Sequence, residues 1–428
     1  MEKQRLRELL GFYENELTNN LLPYWLTHCV DTMNGGFVNC FDNSGEVLVS
    51  TDKYIWSQGR FTWLWVKLAD LQSETFTAAQ RKRFLELSKH GCDFLRRHAL
   101  IAENDLRCVY LTDAQGNHKK IDGYDGFDVS IYADCFVINA FAQYAQVQND
   151  REAWTFSKRL YDSVRERLGS GQYNTLPYPL PAAYRAHGIP MILSNVTKEM
   201  LAAADVLEPS FSGWLMDNLA YYVNDTLAHF VDDAYLLRET IYTDNTFIPN
   251  ILGQHVNPGH TIEDMWFMMD AAERLQKPEL LEQITRITKK ALETGWDKEY
   301  GGLYHFATLD GGMLQSVGDE IESEPTLQHA IRNSSGKIWW VHSEALYTTL
   351  RLYCKTGDES LLAWYDRIAD YVFEKFPNPN REVREWLQTL DRQGNPREKS
   401  VGLPVKDPYH IMRNIALIIE LLYSELQR

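Results

Sequence analysis

Apolar residues recur three and four positions apart over ten long stretches, at 61–71, 78–99, 131–148, 153–168, 196–206, 261–275, 279–293, 339–354, 361–376 and 410–426. That period predicts helices with one face turned inward. The opening of the chain follows it too, through Leu6, Leu9, Leu10, Tyr13 and Leu17. Between some of these stretches lie short aromatic or β-branched runs that close on Asp-x-x-Gly, at Asp42–Gly45, Asp113–Gly116 and Asp391–Gly394, with a looser version over 303–312. Such runs predict short β-hairpins.

The turns at Asp42 and Asp113 stand about 70 residues apart, and a unit of that size fits the chain about six times. This is the spacing of a closed or stacked array of helical hairpins, in which the β-hairpins roof one end and the loops there line a central cleft. The spacing is equally compatible with ordinary surface turns.

Nothing in the 428 residues reads as a linker rich in Pro, Gly or Ser, so a single domain over 1–428 is expected. The 44% hydrophobic content allows a sizeable core. A formal charge of -16 argues against nucleic acid or an anionic membrane surface as partner. No apolar run reaches the roughly 18 residues a membrane helix needs. The six cysteines are scattered without a C-x-x-C pair, which points to reduced thiols and a cytoplasmic protein.

Four stretches mix aromatic and polar residues. They are 53–60 (Lys-Tyr-Ile-Trp-Ser-Gln-Gly-Arg), 257–270 around His260, 339–345 (Trp-Trp-Val-His-Ser-Glu-Ala) and 406–413 around His410. Aromatic faces beside amide, guanidinium and carboxylate groups suit a sugar, whose C–H faces stack while its hydroxyls need directional partners. Asn257-Pro258-Gly259 predicts a turn and Thr261 a helix start, so His260 stands at a helix mouth, with Glu263 and Asp264 three and four residues on. An acid against one ring nitrogen would fix the tautomer and free the other for proton transfer; a capping or packing histidine is the alternative. His410, after Pro408-Tyr409, has the same setting. Two histidines at one pocket can remove a proton from one face of a carbon and return it to the other. The His255, His260, Glu263 spacing does not match a zinc motif, and no metal is expected. Neither a phosphate loop nor a nucleophile elbow is present.

Taken in order, these stretches resemble the N-acylglucosamine 2-epimerase family, which also holds cellobiose 2-epimerases and mannose isomerases. Gly35-Gly36-Phe37, the Asp42–Gly45 turn, Thr51 to Trp56 and Gln58-Gly59-Arg60 look like its N-terminal signature. The resemblance implies an all-α fold, an α6/α6 toroid with short β-hairpins at the loop-bearing end, a homodimer, and metal-independent inversion at sugar C2. It implies His260 and His410 as the acid/base pair, Glu263 and Glu344 as supporting acids, and Arg60 as a ligand to a substrate oxygen. Trp339, Trp340 and Trp386 would wall the sugar pocket, and Tyr132 falls in a similar Ser-Ile-Tyr-Ala-Asp segment. Asn195 and His342 resemble the acylglucosamine branch, whereas cellobiose epimerases carry a further histidine and a glutamine there. Against that branch, Asp407 replaces a glycine and Met412 a proline. The resemblance implies no cofactor; ATP acts on some members as an effector, and no motif here decides that point.

The function expected is therefore interconversion of an N-acyl-D-glucosamine and N-acyl-D-mannosamine, with a small-molecule sugar as partner. Epimerisation or aldose–ketose isomerisation of an unacylated sugar is the first alternative. A glycoside hydrolase using Asp52, Glu263 or Glu344, and a non-catalytic binding protein, are the others.

Overall fold

The computed structural model describes residues 1–398 and 405–428. These group into two compact units whose segments interleave along the chain. The first unit holds Glu2–Pro177, Val196–Leu215 and the C-terminal segment; the second holds Tyr178–Asn195 and the segment that starts at Met216.

In the first unit the helices Ile55–Ala69 and Ile131–Gln148 are buried on almost every side and pack on each other. Each is backed by an amphipathic helix, Ala78–His98 and Arg151–Ser170 respectively, that buries one face only. A helix apolar all round belongs to the interior, and a one-faced helix covers it. The same layering recurs in the second unit. There Pro258–Arg274 packs on Trp339–Thr356, both deeply buried, with Leu280–Gly295 and Glu359–Lys375 as their amphipathic partners.

Two of these four deeply buried helices start earlier than periodicity predicts. Ile55–Ala69 begins six residues before the expected position because Ser57, Gln58 and Arg60 are polar yet buried, so no apolar stripe marks them. Pro258–Arg274 begins three residues early: Asn257 is its N-cap, with Oδ1 accepting the His260 N–H at 3.2 Å, and Pro258 occupies the first turn. The expected Asn-Pro-Gly turn is thus a cap.

The strands are two to four residues long and pair antiparallel. Three of them, Lys53–Tyr54, His255–Val256 and Lys337–Ile338, run almost directly into a buried helix. They pair with Leu111–Thr112, Ala307–Thr308 and Thr389–Leu390. The Asp-x-x-Gly turns close as expected, with Gly45, Gly116 and Gly394 donating N–H to the carbonyls of Asp42, Asp113 and Asp391.

One local closure occurs in both units. In the first, the fully buried Lys53 ammonium reaches Asp31 and the Gly35 carbonyl, each at 2.7 Å, while Gln58 Oε1 accepts the Phe37 N–H at 2.8 Å. In the second, Lys337 reaches Asp297 at 3.1 Å and the Gly302 carbonyl at 3.4 Å, and His342 Nε2 accepts the Leu303 N–H at 2.9 Å. The glycine pairs Gly35-Gly36 and Gly301-Gly302 all have left-handed φ, between 70° and 85°. A Cβ on Gly36 would stand 2.5 Å from Gln58 Oε1 and one on Gly302 2.6 Å from the Tyr371 ring, so both positions need glycine.

Candidate active site

His260 is in the first turn of Pro258–Arg274, its side chain 18% exposed. Its Nδ1 lies 2.6 Å from Glu239 Oε1. Glu239 immediately precedes the strand Thr240–Tyr242, which pairs with Tyr184–Ala186 and is thereby held rigidly. The spacing predicts Glu263 or Asp264 for this bond, but Glu239 makes it, and Asp264 accepts instead from His187 Nε2 at 2.8 Å, both side chains fully buried. Among the described residues no partner takes His260 Nε2, so the pairing of Nδ1 with Glu239 presents Nε2 as the working nitrogen.

Burial opposes the charged form of His260, but Glu239 outweighs it and raises the imidazole above its usual 6.5, with Glu263 and Asp264 adding to the effect. Burial likewise pushes Glu239 up, and the His260 charge and hydrogen bond overcome it and bring the carboxyl down to about 2. Among the described residues, the other Glu239 oxygen, which is buried, has no hydrogen-bond partner. The indole of Trp340 leans on His260 at 5.4 Å.

Glu344 is fully buried and accepts from Trp266 Nε1 at 2.8 Å, while Glu263 is 5% exposed on the His260 helix. Asn195 is buried in the helix Gly188–Leu207, and Trp339 is part-exposed. Two expectations need correction. His342 donates from Nδ1 to the Ile338 carbonyl at 2.7 Å and accepts the Leu303 N–H at Nε2, which leaves no nitrogen for a sugar. Burial lowers its pKa to about 3, as befits a neutral structural ring. Trp386 has no exposed surface and packs against Phe373 and Phe376, so it supports the fold and walls no open pocket.

In the first unit, the Arg60 guanidinium is ion-paired with Asp407 and enclosed by the rings of Trp56, Phe136 and Tyr409 at 4.4, 4.2 and 5.0 Å. Tyr132 stands edge-on to Trp56. His410 is in the first turn of Tyr409–Gln427, with Nδ1 3.3 Å from Arg413 and the Tyr409 ring beside it. Tyr409 thus touches both Arg60 and His410. Glu239 and His187 had no signal in sequence: each is a lone residue beside a strand, far along the chain from its partner.

Residues 35–414 match the family model of N-acylglucosamine 2-epimerase (GlcNAc 2-epimerase). The chain belongs to this family. It is accordingly an isomerase. The N-acylglucosamine 2-epimerase of Bos taurus is 30% identical to this family member over the whole chain and 95% of its own length. The cellobiose 2-epimerase of Ruminococcus albus is 23% identical over 94% of the chain and 96% of its own length. Among solved structures, cellobiose 2-epimerase from Bacillus thermoamylovorans B4167 superposes with a TM-score of 0.76 at 20% identity, covering 97% of this chain and all of the other. This family member therefore shares the fold of that epimerase, mostly helical with few short strands.

Proposed function

We propose that the chain, working as one catalytic domain over 1–428, interconverts N-acyl-D-glucosamine and N-acyl-D-mannosamine by moving the proton on C2. The observation that carries this reading is the Glu239–His260 pair, with Nδ1 committed and Nε2 left for chemistry. The open-chain sugar has an aldehyde at C1, which acidifies C2–H. A base removes that proton, the C–H electron pair becomes the C1=C2 bond, and the carbonyl pair moves to O1. Arg60 stabilises the oxygen anion, and a proton delivered to the other face of C2 gives the epimer. His260, raised by Glu239, enters as the acid in one direction, with His410 as the base; their roles exchange in reverse. Removal and return of a proton beside a carbonyl require neither metal nor cofactor.

The similarity to the bovine enzyme over the full chain supports the acylated sugar. The closed α6/α6 toroid belongs to the proposal as well, supported by the backing of buried helices with amphipathic ones within each unit. So do a homodimer, carried by the family resemblance, and a cytoplasmic location, carried by the scattered cysteines. The test is incubation with N-acetyl-D-mannosamine in heavy water. We expect deuterium at C2 of both epimers, and its loss in His260→Ala and His410→Ala variants that keep the wild-type circular dichroism. Full exchange in either variant removes that histidine from the reaction, and release of a smaller sugar replaces epimerisation with hydrolysis.

A further inference from the structure

His305 is 1% exposed, and among the described residues neither of its ring nitrogens has a hydrogen-bond partner. A buried imidazole with both nitrogens unpaired is costly, and native structures keep such groups for a ligand or water. The Nε2 of the neighbouring His329 is also unpaired. These two rings belong to a closed circuit. His305 is 6.2 Å from His329, His329 5.4 Å from Tyr178, Tyr178 6.4 Å from His260, His260 5.4 Å from Trp340, and Trp340 6.1 Å from His305, centroid to centroid. His260, His329 and Tyr178 are part-exposed while His305 and Trp340 are buried.

We propose that this cage receives the acylamino group on C2 of the sugar, with His305 and His329 as the residues that select for it. The inference rests on the epimerase reading above. If His260 handles the proton on C2, the other substituent of C2 is one bond away, and the cage is built partly from the His260 ring. The chemistry fits an amide. Burial, aided by His329 and His260, holds His305 far below the usual histidine range, so it is neutral and offers one N–H donor and one acceptor lone pair. An acylamino group offers the complementary carbonyl and N–H. Its acyl carbons would meet Trp340 and Tyr178. A 2-hydroxyl is too small to satisfy both histidines, and unpaired groups in a site disfavour the substrate that leaves them so.

The test compares kcat/KM for N-acetyl-D-mannosamine and D-mannose, read by C2 deuterium exchange, in the wild type, His305→Phe, His305→Gln and His329→Phe. His305→Phe should lower kcat/KM for the acylated sugar by about 100-fold, mostly through KM, without a matching loss on D-mannose. His305→Gln, which restores a donor and an acceptor, should recover at least about a tenth of the wild-type value. His329→Phe, at a part-exposed position, should shift the preference in the same direction and decides the matter where His305→Phe does not fold. Folded variants with wild-type preference between the two sugars overturn the cage assignment alone. A wild type that exchanges the C2 proton of neither sugar overturns the epimerase reading, and the cage with it.

Discussion

A carboxylate 2.6 Å from one nitrogen decides what His260 does with the other. Replacing Glu239 with Gln keeps the shape and removes the charge, so we expect kcat to fall by about 10- to 100-fold, with the limb of the pH–rate profile that reports His260 moving to lower pH. Stability should follow the same pair. The Glu239 pKa is depressed from 4.5 to about 2, so its contribution is present above about 4.5 and is lost as pH falls toward 2. The His260 pKa is raised above 6.5, so its contribution is complete below that value and is lost as pH rises through the folded-state pKa. Glu239→Gln should therefore cost most between about pH 4.5 and 6.5, on the order of 1.5–3 kcal/mol, and less above. Chemical denaturation at pH 5.5 and 8.5 measures this, and an equal cost at both would dissociate the pair from stability. The positions of His260, Arg60 and Glu344 were legible because aromatic and polar residues crowd their helix starts. The partners were not. His342 shows why: a polar ring among tryptophans reads the same whether it binds a sugar or the backbone of Leu303.

Most of the long helices were legible as elements because their period repeats often enough to be counted. Ser212–Asp225, of 14 residues, and the nine-residue Pro325–Asn333 were not. The early helix starts at Ile55 and Pro258 escaped because what marks them is buried polarity and a cap. The paired glycine closures allow a contrast. Gly302→Ala faces both left-handed backbone and the Tyr371 ring, so it should lower stability by about 2 kcal/mol or more. Gly357→Ala has φ +69° with nothing within 4 Å of the added carbon, so it should cost only about 1 kcal/mol. Thermal melts of the two variants test the order, and equal costs would mean that the Tyr371 contact relaxes freely.

At the scale of the whole molecule, 428 residues with a charge of -16 and a neutral substrate predict little electrostatic steering. KM for N-acetyl-D-mannosamine should change by less than about twofold between low and high salt; a steep rise with salt would point to an anionic substrate recognised by Arg60. The two units could not be read from sequence, because Tyr178–Asn195 leaves one neighbourhood and joins residues that begin at Met216. Lying in different units, the two closures built on Lys53 and Lys337 nevertheless end alike: two positions beyond Gln58 stands Arg60, and two beyond His342 stands Glu344. None of the bonds that make either closure uses the side chain at that position. The protein thus has one local mount, present twice, that carries a guanidinium in one unit and a carboxyl in the other, and what fits each to its place is its surroundings: Asp407 and three rings around Arg60, the Trp266 indole at Glu344.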